Sequence, residues 1–160
     1  MKEIAGDFLK IYRDYDVVCC TTNTCTNNKN ELVMGRGIAY LFKHEWPELP
    51  KIWGEKILKT KPRELPLVFV ESVLTGSGLC GTGNKVKYLV AFPTKKDWRQ
   101  DSILEVIHNS AKQLDYLADV FGWKSVLLPK PGCCNGGLSW ENVKLVISFL
   151  DERFWILSKE

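Results

Sequence analysis

The strongest constraint on the fold is a pattern that occurs twice: a short apolar run, then a glycine-bearing loop, then a helical segment. "DVVCCTT" (16–22) leads through "NTCTNNKNELVMGRGIA" (23–39) into "GRGIAYLFKHEW" (35–46), which reads as a helix until Pro47. "KSVLLP" (124–129) leads through "PGCCNGGLS" into a last helix with Trp140, Val143, Ile147 and Leu150 on one face. A strand that empties through a bare loop into a helix is the repeating unit of an α/β sheet, so the chain is expected to alternate the two element types.

The intervening elements agree. "PKIWGEKILKT" (50–60) suggests a short helix opened by Pro50. "LPLVFVESVLT" (65–75) and "KVKYLVAFPT" (85–94) are β-rich, and the "GSGLCGTGN" between them has the chemistry of a hairpin or slightly longer connection. Segment 101–121 gives the clearest helix, with Ile103, Ile107, Ala111, Leu114, Leu117 and Phe121 at spacings of three and four, a cap at Asp101 or Ser102, and Gly122 as its stop. "RFWIL" closes the chain as a strand, and "GDF" (6–8) follows a first short one. A hairpin inside strand–helix alternation predicts a mixed sheet with helices on both faces. There is no repeat, low-complexity tract or linker, so residues 1–160 are expected to form one domain.

Composition removes several function classes. A net charge of +3 without a basic block gives little support to a dedicated DNA- or RNA-binding protein. "MKEIAGDFLKIYRDY" has no apolar signal core, and no run reaches membrane-spanning length, so a cytoplasmic protein with no membrane partner is expected. Its six cysteines, at 19, 20, 25, 80, 133 and 134, are then reduced. None forms C-x-x-C and only His44 and His108 accompany them, so no metal site is expected. No cysteine has an arginine six positions on, which removes the cysteine-phosphatase loop. Cys19 and Cys20 read as small strand residues, and no histidine stands near Cys133 or Cys134 to activate a thiol.

Ligands of open α/β sheets sit beyond the carboxyl ends of the strands, where the two glycine loops are. Glycine admits a ligand close to the backbone, and successive amides at a helix start form a concavity for phosphate. Ser139 is placed to cap the helix behind the second loop, although Asn142 does not supply a capping-box acid. A third segment, "FPTKKDWRQDS" (92–102), puts Lys95 at a strand end within reach of the same ligand, while Lys96 is expected to be merely solvated. A dinucleotide-binding Rossmann domain fits worse, since G-x-G-x-x-G directly after the first strand is missing.

Four ordered segments, "GDF" (6–8), "TTN…ELVMGRGIAYLF" (21–42), "FPTKKDWRQDSI" (92–103) and "LPKPGCCNGGLSWENV" (128–143), resemble the macro domain over nearly the whole chain. The most similar branch holds terminal ADP-ribose protein glycohydrolases, ADP-ribose 1''-phosphate phosphatases and antitoxins that remove ADP-ribose from DNA. The resemblance implies a three-layer α/β/α fold with a central mixed sheet that binds ADP-ribose without metal or cofactor. Asp7 and Phe8 would then meet the adenine, with Asp7 taking its amino group. Asn23 with Val33, Met34, Gly35, Arg36, Gly37 and Ile38 would border the distal ribose and diphosphate. Pro131, Gly132, Cys133, Cys134, Asn135, Gly136, Gly137 and Leu138 would wrap the diphosphate from the other side. Lys95 matches the lysine on which the glycohydrolase branch relies. The human-type enzyme pairs that lysine with an aspartate at the position of Gly136, and "NGGLSW" instead resembles the DNA-acting branch, which lacks the acid.

Two functions from different classes follow. One is an enzyme that hydrolyses an ADP-ribose derivative at the distal ribose, from a protein acid, a nucleobase or a phosphate, with Lys95 stabilising the leaving group or attacking the anomeric carbon. The phosphatase version lacks an obvious general base. The other is a module that binds ADP-ribose, or an ADP-ribosylated protein or nucleic acid, without turnover.

Overall fold

The computed structural model describes residues 1–73 and 83–159. The described strands are β1 (Lys2–Ala5), β2 (Val17–Thr22), β3 (Phe69–Ser72), β4 (Tyr88–Pro93), β5 (Val126–Pro129) and β6 (Phe154–Ser158), in one sheet of order β1-β6-β5-β2-β4-β3. Every pairing is parallel except that of β3 with β4. The expected mixed sheet is therefore present. The antiparallel β3–β4 pair is that of a hairpin, and most of the glycine-rich joint lies outside the described residues.

Strand side chains alternate between two cores, as the pleat requires. Val18, Cys20, Leu89, Ala91 and Leu127 face one layer, and Val17, Cys19, Val90, Phe92, Val126 and Leu128 the other. The first layer holds α1 (Phe8–Ile11), α2 (Gly37–Glu45) and α3 (Leu49–Lys59), with Phe42, Trp46 and Trp53 at its centre. The second holds α4 (Leu104–Phe121) and α5 (Trp140–Val146), with Ile107, Ala111, Leu114, Val143 and Ile147. Two helical layers around one sheet make the three-layer α/β/α arrangement. Trp53 is fully buried, and its truncation to alanine is expected to cost about 3–5 kcal/mol.

The sequence expectation misplaces the start of α4, while Gly122 ends that helix in the left-handed conformation, as expected. Ile103, not Asp101 or Ser102, occupies the N-cap position of α4 and makes no side-chain capping bond, and the Ser102 hydroxyl is turned inward to the Thr94 hydroxyl, 3.1 Å away. Ile103 and Phe121, expected on the buried face, are exposed at the two ends of that helix. Ser139 caps α5 as expected, through the amide of Asn142 at 3.4 Å. Among the described residues no helix is long and apolar enough to cross a membrane.

Candidate functional site

Because β1, β5, β2 and β4 all run parallel, the loops leaving them emerge on one edge of the sheet. In space their order is Asp7 after β1, then (beyond β6) residues 131–138 after β5, residues 23–38 after β2, and Lys95 after β4. With strands about 4.8 Å apart, four steps from β1 to β4 span roughly 19 Å. The sheet thus lays four separate sequence motifs along one elongated track.

The middle of the track is backbone. The Leu138 amide donates to the Gly132 carbonyl at 2.9 Å and closes the glycine loop. Inside that closure the amides of Gly132, Cys133, Cys134, Asn135 and Gly136 have no acceptor among the described residues. The same holds for the amides of Met34, Gly35, Arg36, Gly37 and Ile38, where the chain enters α2. The two loops meet at Gly37, whose φ of +58° suits glycine and where an added Cβ would lie 3.1 Å from the Asn135 side-chain amide. Two rows of free N–H donors on touching loops can bind an anion with several oxygens.

Lys95 is only 8% exposed. Its ammonium donates to the Gln100 carbonyl at 2.9 Å and to the Asn135 carbonyl at 3.3 Å, which ties the β4 loop directly to the glycine loop. Ser102 makes a second tie: its amide donates to the Gly136 carbonyl at 2.9 Å, while the Ile103 amide donates to the Thr94 carbonyl at 3.0 Å. Lys96 is exposed, as expected, but its carbonyl accepts from the Thr24 amide and hydroxyl, both at 2.9 Å. The β4 loop is therefore fixed on both flanks. Lys95 could be singled out from its strand-end position, whereas the bracing by Thr94, Ser102 and Gln100 left no local signal in the sequence.

The other expected site residues divide into surface and framework. Asp7 is exposed and caps α1 through one carboxylate oxygen, which accepts the Leu9 amide at 3.0 Å. Phe8 and Met34 are core residues: Phe8 stacks on Tyr12 at 5.1 Å and Met34 packs beneath the β2 loop, so neither ring nor thioether lines the track. Asn23 spends its side chain on its own loop, donating to the Val33 carbonyl at 3.0 Å and accepting the Cys25 amide at 2.8 Å. Val33 is half-buried and its amide donates to the Cys25 carbonyl. Gly35 and Arg36 are exposed, and Ile38 packs against the first core. Pro131 and Gly132 are buried, Cys133 and Leu138 pack against the second core, and Cys134, Asn135 and Gly137 are exposed. Burial pushes the thiols of Cys19, Cys20 and Cys133 above the ordinary range, the reverse of what an attacking thiolate needs.

No protein-family model matches the chain. A DNA ADP-ribosyl glycohydrolase of Mycobacterium tuberculosis is 33% identical over 141 residues, which are 86% of this chain and 38% of that protein. The solved macrodomain of Mycobacterium tuberculosis DarG superposes with a TM-score of 0.76 at 26% identity, covering 98% of this chain and 95% of that one. The chain is a macrodomain. A Thermosipho africanus DarTG structure in complex with ADP-ribose shares the fold at a TM-score of 0.76 and 20% identity, covering 99% of this chain and 42% of that one. This macrodomain spans under two fifths of the length of the curated relative, so the match is to one part of that larger protein. The expected fold class, a three-layer mixed-sheet macrodomain, is the one found.

Proposed function

We propose that this macrodomain binds ADP-ribose along the four-loop track and hydrolyses the bond between its distal ribose and a nucleobase of DNA. The observation that carries the reading is the direct tie of the buried Lys95 ammonium to the Asn135 carbonyl of the glycine loop. A diphosphate held by the free amides of 34–38 and 132–136 would put the next ribose against β4, the strand that carries Lys95. Adenine would then reach Asp7, whose second carboxylate oxygen has no donor among the described residues and can accept from an exocyclic amine. DNA as the carrier is supported by the names of the curated relatives, which are DNA ADP-ribosyl glycohydrolases.

Hydrolysis would break the glycosidic bond at the anomeric carbon, with water supplying the hydroxyl to the ribose and the proton to the departing base. An ammonium has three N–H donors, and Lys95 spends two on carbonyls. The third remains for charge that develops on the leaving group, which favours electrostatic stabilisation over attack by the amine. Calorimetry should show ADP-ribose binding, and an oligonucleotide carrying ADP-ribose on thymine should be converted to free ADP-ribose and the unmodified strand. Absence of ADP-ribose binding by the folded protein at millimolar ligand would overturn the reading. Binding with no turnover of base-linked, ester-linked or 1''-phosphate substrates would establish the binding module instead.

A further inference from the structure

Three of the seven residues 132–138 are glycines, so the glycine loop has little stiffness of its own. Its register against Lys95 is set from outside, and Ser102 sets it from beneath. A Cβ at Gly132 would lie 3.0 Å from the Ser102 Cβ, and one at Gly136 would overlap the Ser102 hydroxyl. The Ser102 amide also donates to the Gly136 carbonyl at 2.9 Å. Ser102 is a wedge held against both ends of the stretch whose amides are free.

With Lys95 these contacts close a circuit. The Lys95 ammonium donates to the Asn135 carbonyl at 3.3 Å, and Asn135 is joined to Gly136. Gly136 accepts from the Ser102 amide, the Ser102 and Thr94 hydroxyls meet at 3.1 Å, and Thr94 is joined to Lys95. Thr94 is itself a fixed point. Its amide donates to the Thr22 carbonyl of β2 at 2.9 Å, and its carbonyl accepts the Ile103 amide at 3.0 Å. Just before it, the buried Ser110 hydroxyl donates to the Pro93 carbonyl at 2.7 Å. The hydroxyl pair is the one link of the circuit made by two side chains, and Thr94 and Ser102 are only 3% and 5% exposed. Two hydroxyls carry two hydrogens, and one of these has no acceptor among the described residues. Apolar groups of the same shape could replace such a pair with little loss of stability, so stability alone gives small reason to bury it.

We infer that Thr94 and Ser102 are positioning residues for Lys95: their hydroxyl pair holds the glycine loop in the register at which the Asn135 carbonyl directs the ammonium at the leaving group. The inference rests on the proposed function for the role of Lys95, whereas the circuit can be probed without any substrate. Without the pair, Ser102 is free to turn and the loop slides against β4. ADP-ribose is held along four loops and feels such a slip weakly. The lysine acts on one group, and a misplacement of about 1 Å costs about 10²-fold in rate.

Thr94→Val keeps the shape and removes the hydroxyl, Thr94→Ser keeps the hydroxyl and removes a buried methyl group, and Ser102→Ala removes the other hydroxyl. Acetylation with acetic anhydride, read by mass spectrometry against the exposed Lys96, should modify Lys95 severalfold faster in Thr94→Val and Ser102→Ala. Thr94→Ser should stay near the parent. Single-turnover cleavage of an oligonucleotide carrying ADP-ribose on thymine should slow roughly ten- to a hundredfold in the first two variants and no more than about threefold in Thr94→Ser. ADP-ribose affinity in calorimetry should shift less than about twofold in all of them, because the amides that bind it remain. A role in stability alone ranks the Thr94 variants the other way, since serine leaves a methyl-sized void and valine does not; melting of each variant records that order. Equal Lys95 labelling in the parent, Thr94→Val and Ser102→Ala overturns the positioning role, and so do labelling and rates that merely follow the melting temperatures. A parent that binds ADP-ribose but cleaves no substrate sinks the hydrolysis reading instead, and the labelling then decides whether the pair positions the lysine.

Discussion

The resemblance to the glycohydrolases sets Gly136 where the human-type enzyme carries an aspartate, and the structure leaves no room there for any side chain. A Cβ at 136 would overlap the Ser102 hydroxyl and lie 2.5 Å from the Gly132 carbonyl oxygen and 2.7 Å from the Gly132 Cα. Two of these three neighbours are backbone, held by the closure from Leu138 to Gly132, and the third is buried between Thr94 and the loop. Forcing one methyl group into such a place costs about 1–3 kcal/mol. Alanine also restricts the unfolded chain, a gain of about 0.4–1 kcal/mol that hides part of the loss. Gly35→Ala is the matched control, since it carries the same unfolded-state gain and its added Cβ meets nothing within 4 Å. Comparing the two variants cancels that gain. For a chain of this size the difference of about 1–3 kcal/mol corresponds to roughly 2–12 °C in Tm, with Gly136→Ala the lower. Calorimetric melting of both variants without ligand measures it. Ser102→Gly in the Gly136→Ala background should recover only part of the loss, because the Gly132 contacts remain. A Gly136→Ala protein that melts at or above Gly35→Ala would refute the steric account.

Lys95→Ala should lower turnover about 10²–10³-fold with a smaller effect on ADP-ribose affinity, while Lys96→Ala changes little; single-turnover kinetics on an ADP-ribosylated oligonucleotide separates the two. Asp7→Ala should weaken ADP-ribose by about 1.5–3 kcal/mol in calorimetry, and unchanged affinity would reduce Asp7 to the cap of α1. Hydrogen bonds from the Arg99 side chain, and then its amide, hold the Asp97 carboxyl down at about 2, so NMR should find it ionised as pH falls until about that value. The contribution of this pair is fully present above the ordinary aspartate pKa and is lost progressively as pH falls from there to about 2; Arg99→Ala should raise the titration only part of the way toward roughly 3.9, because the amide of residue 99 still donates to the carboxylate.

The architecture was legible because its signals are local. Alternation of Val17, Val18, Cys19 and Cys20 between two cores needs only an apolar run long enough for both faces, and "VLLP" repeats it. The glycine loops could be found because glycine is the residue a close backbone approach demands. What escaped depends on residues far apart in the chain. Ser102 reads as a helix cap until Thr94 and Gly136 are brought beside it, and no spacing rule connects 94, 102 and 136. Phe8 and Met34 sit in motifs next to the track, but a motif gives a residue's place along the chain and not the face to which its side chain turns. Their burial follows from Tyr12, Phe42 and the α3 layer beneath.

The absence of an acid at 136 has a chemical consequence as well as a steric one. An aspartate paired with the lysine would orient it and also neutralise it. Here orientation falls to the carbonyls of Asn135 and Gln100, the first of them one residue before the position the acid would take. Carbonyl oxygens are neutral acceptors, so they fix the direction of the ammonium without cancelling its charge. Arginine at 95 would keep that charge but needs a longer, planar group to fit between the same two carbonyls, in a place where Lys95 is almost fully buried. The cation is therefore bound to this loop by geometry as much as by charge. Under the proposed function the carboxylate would be dispensable, because the glycine loop presents backbone oxygen to the lysine on one side and would offer its free backbone N–H groups to the diphosphate on the other.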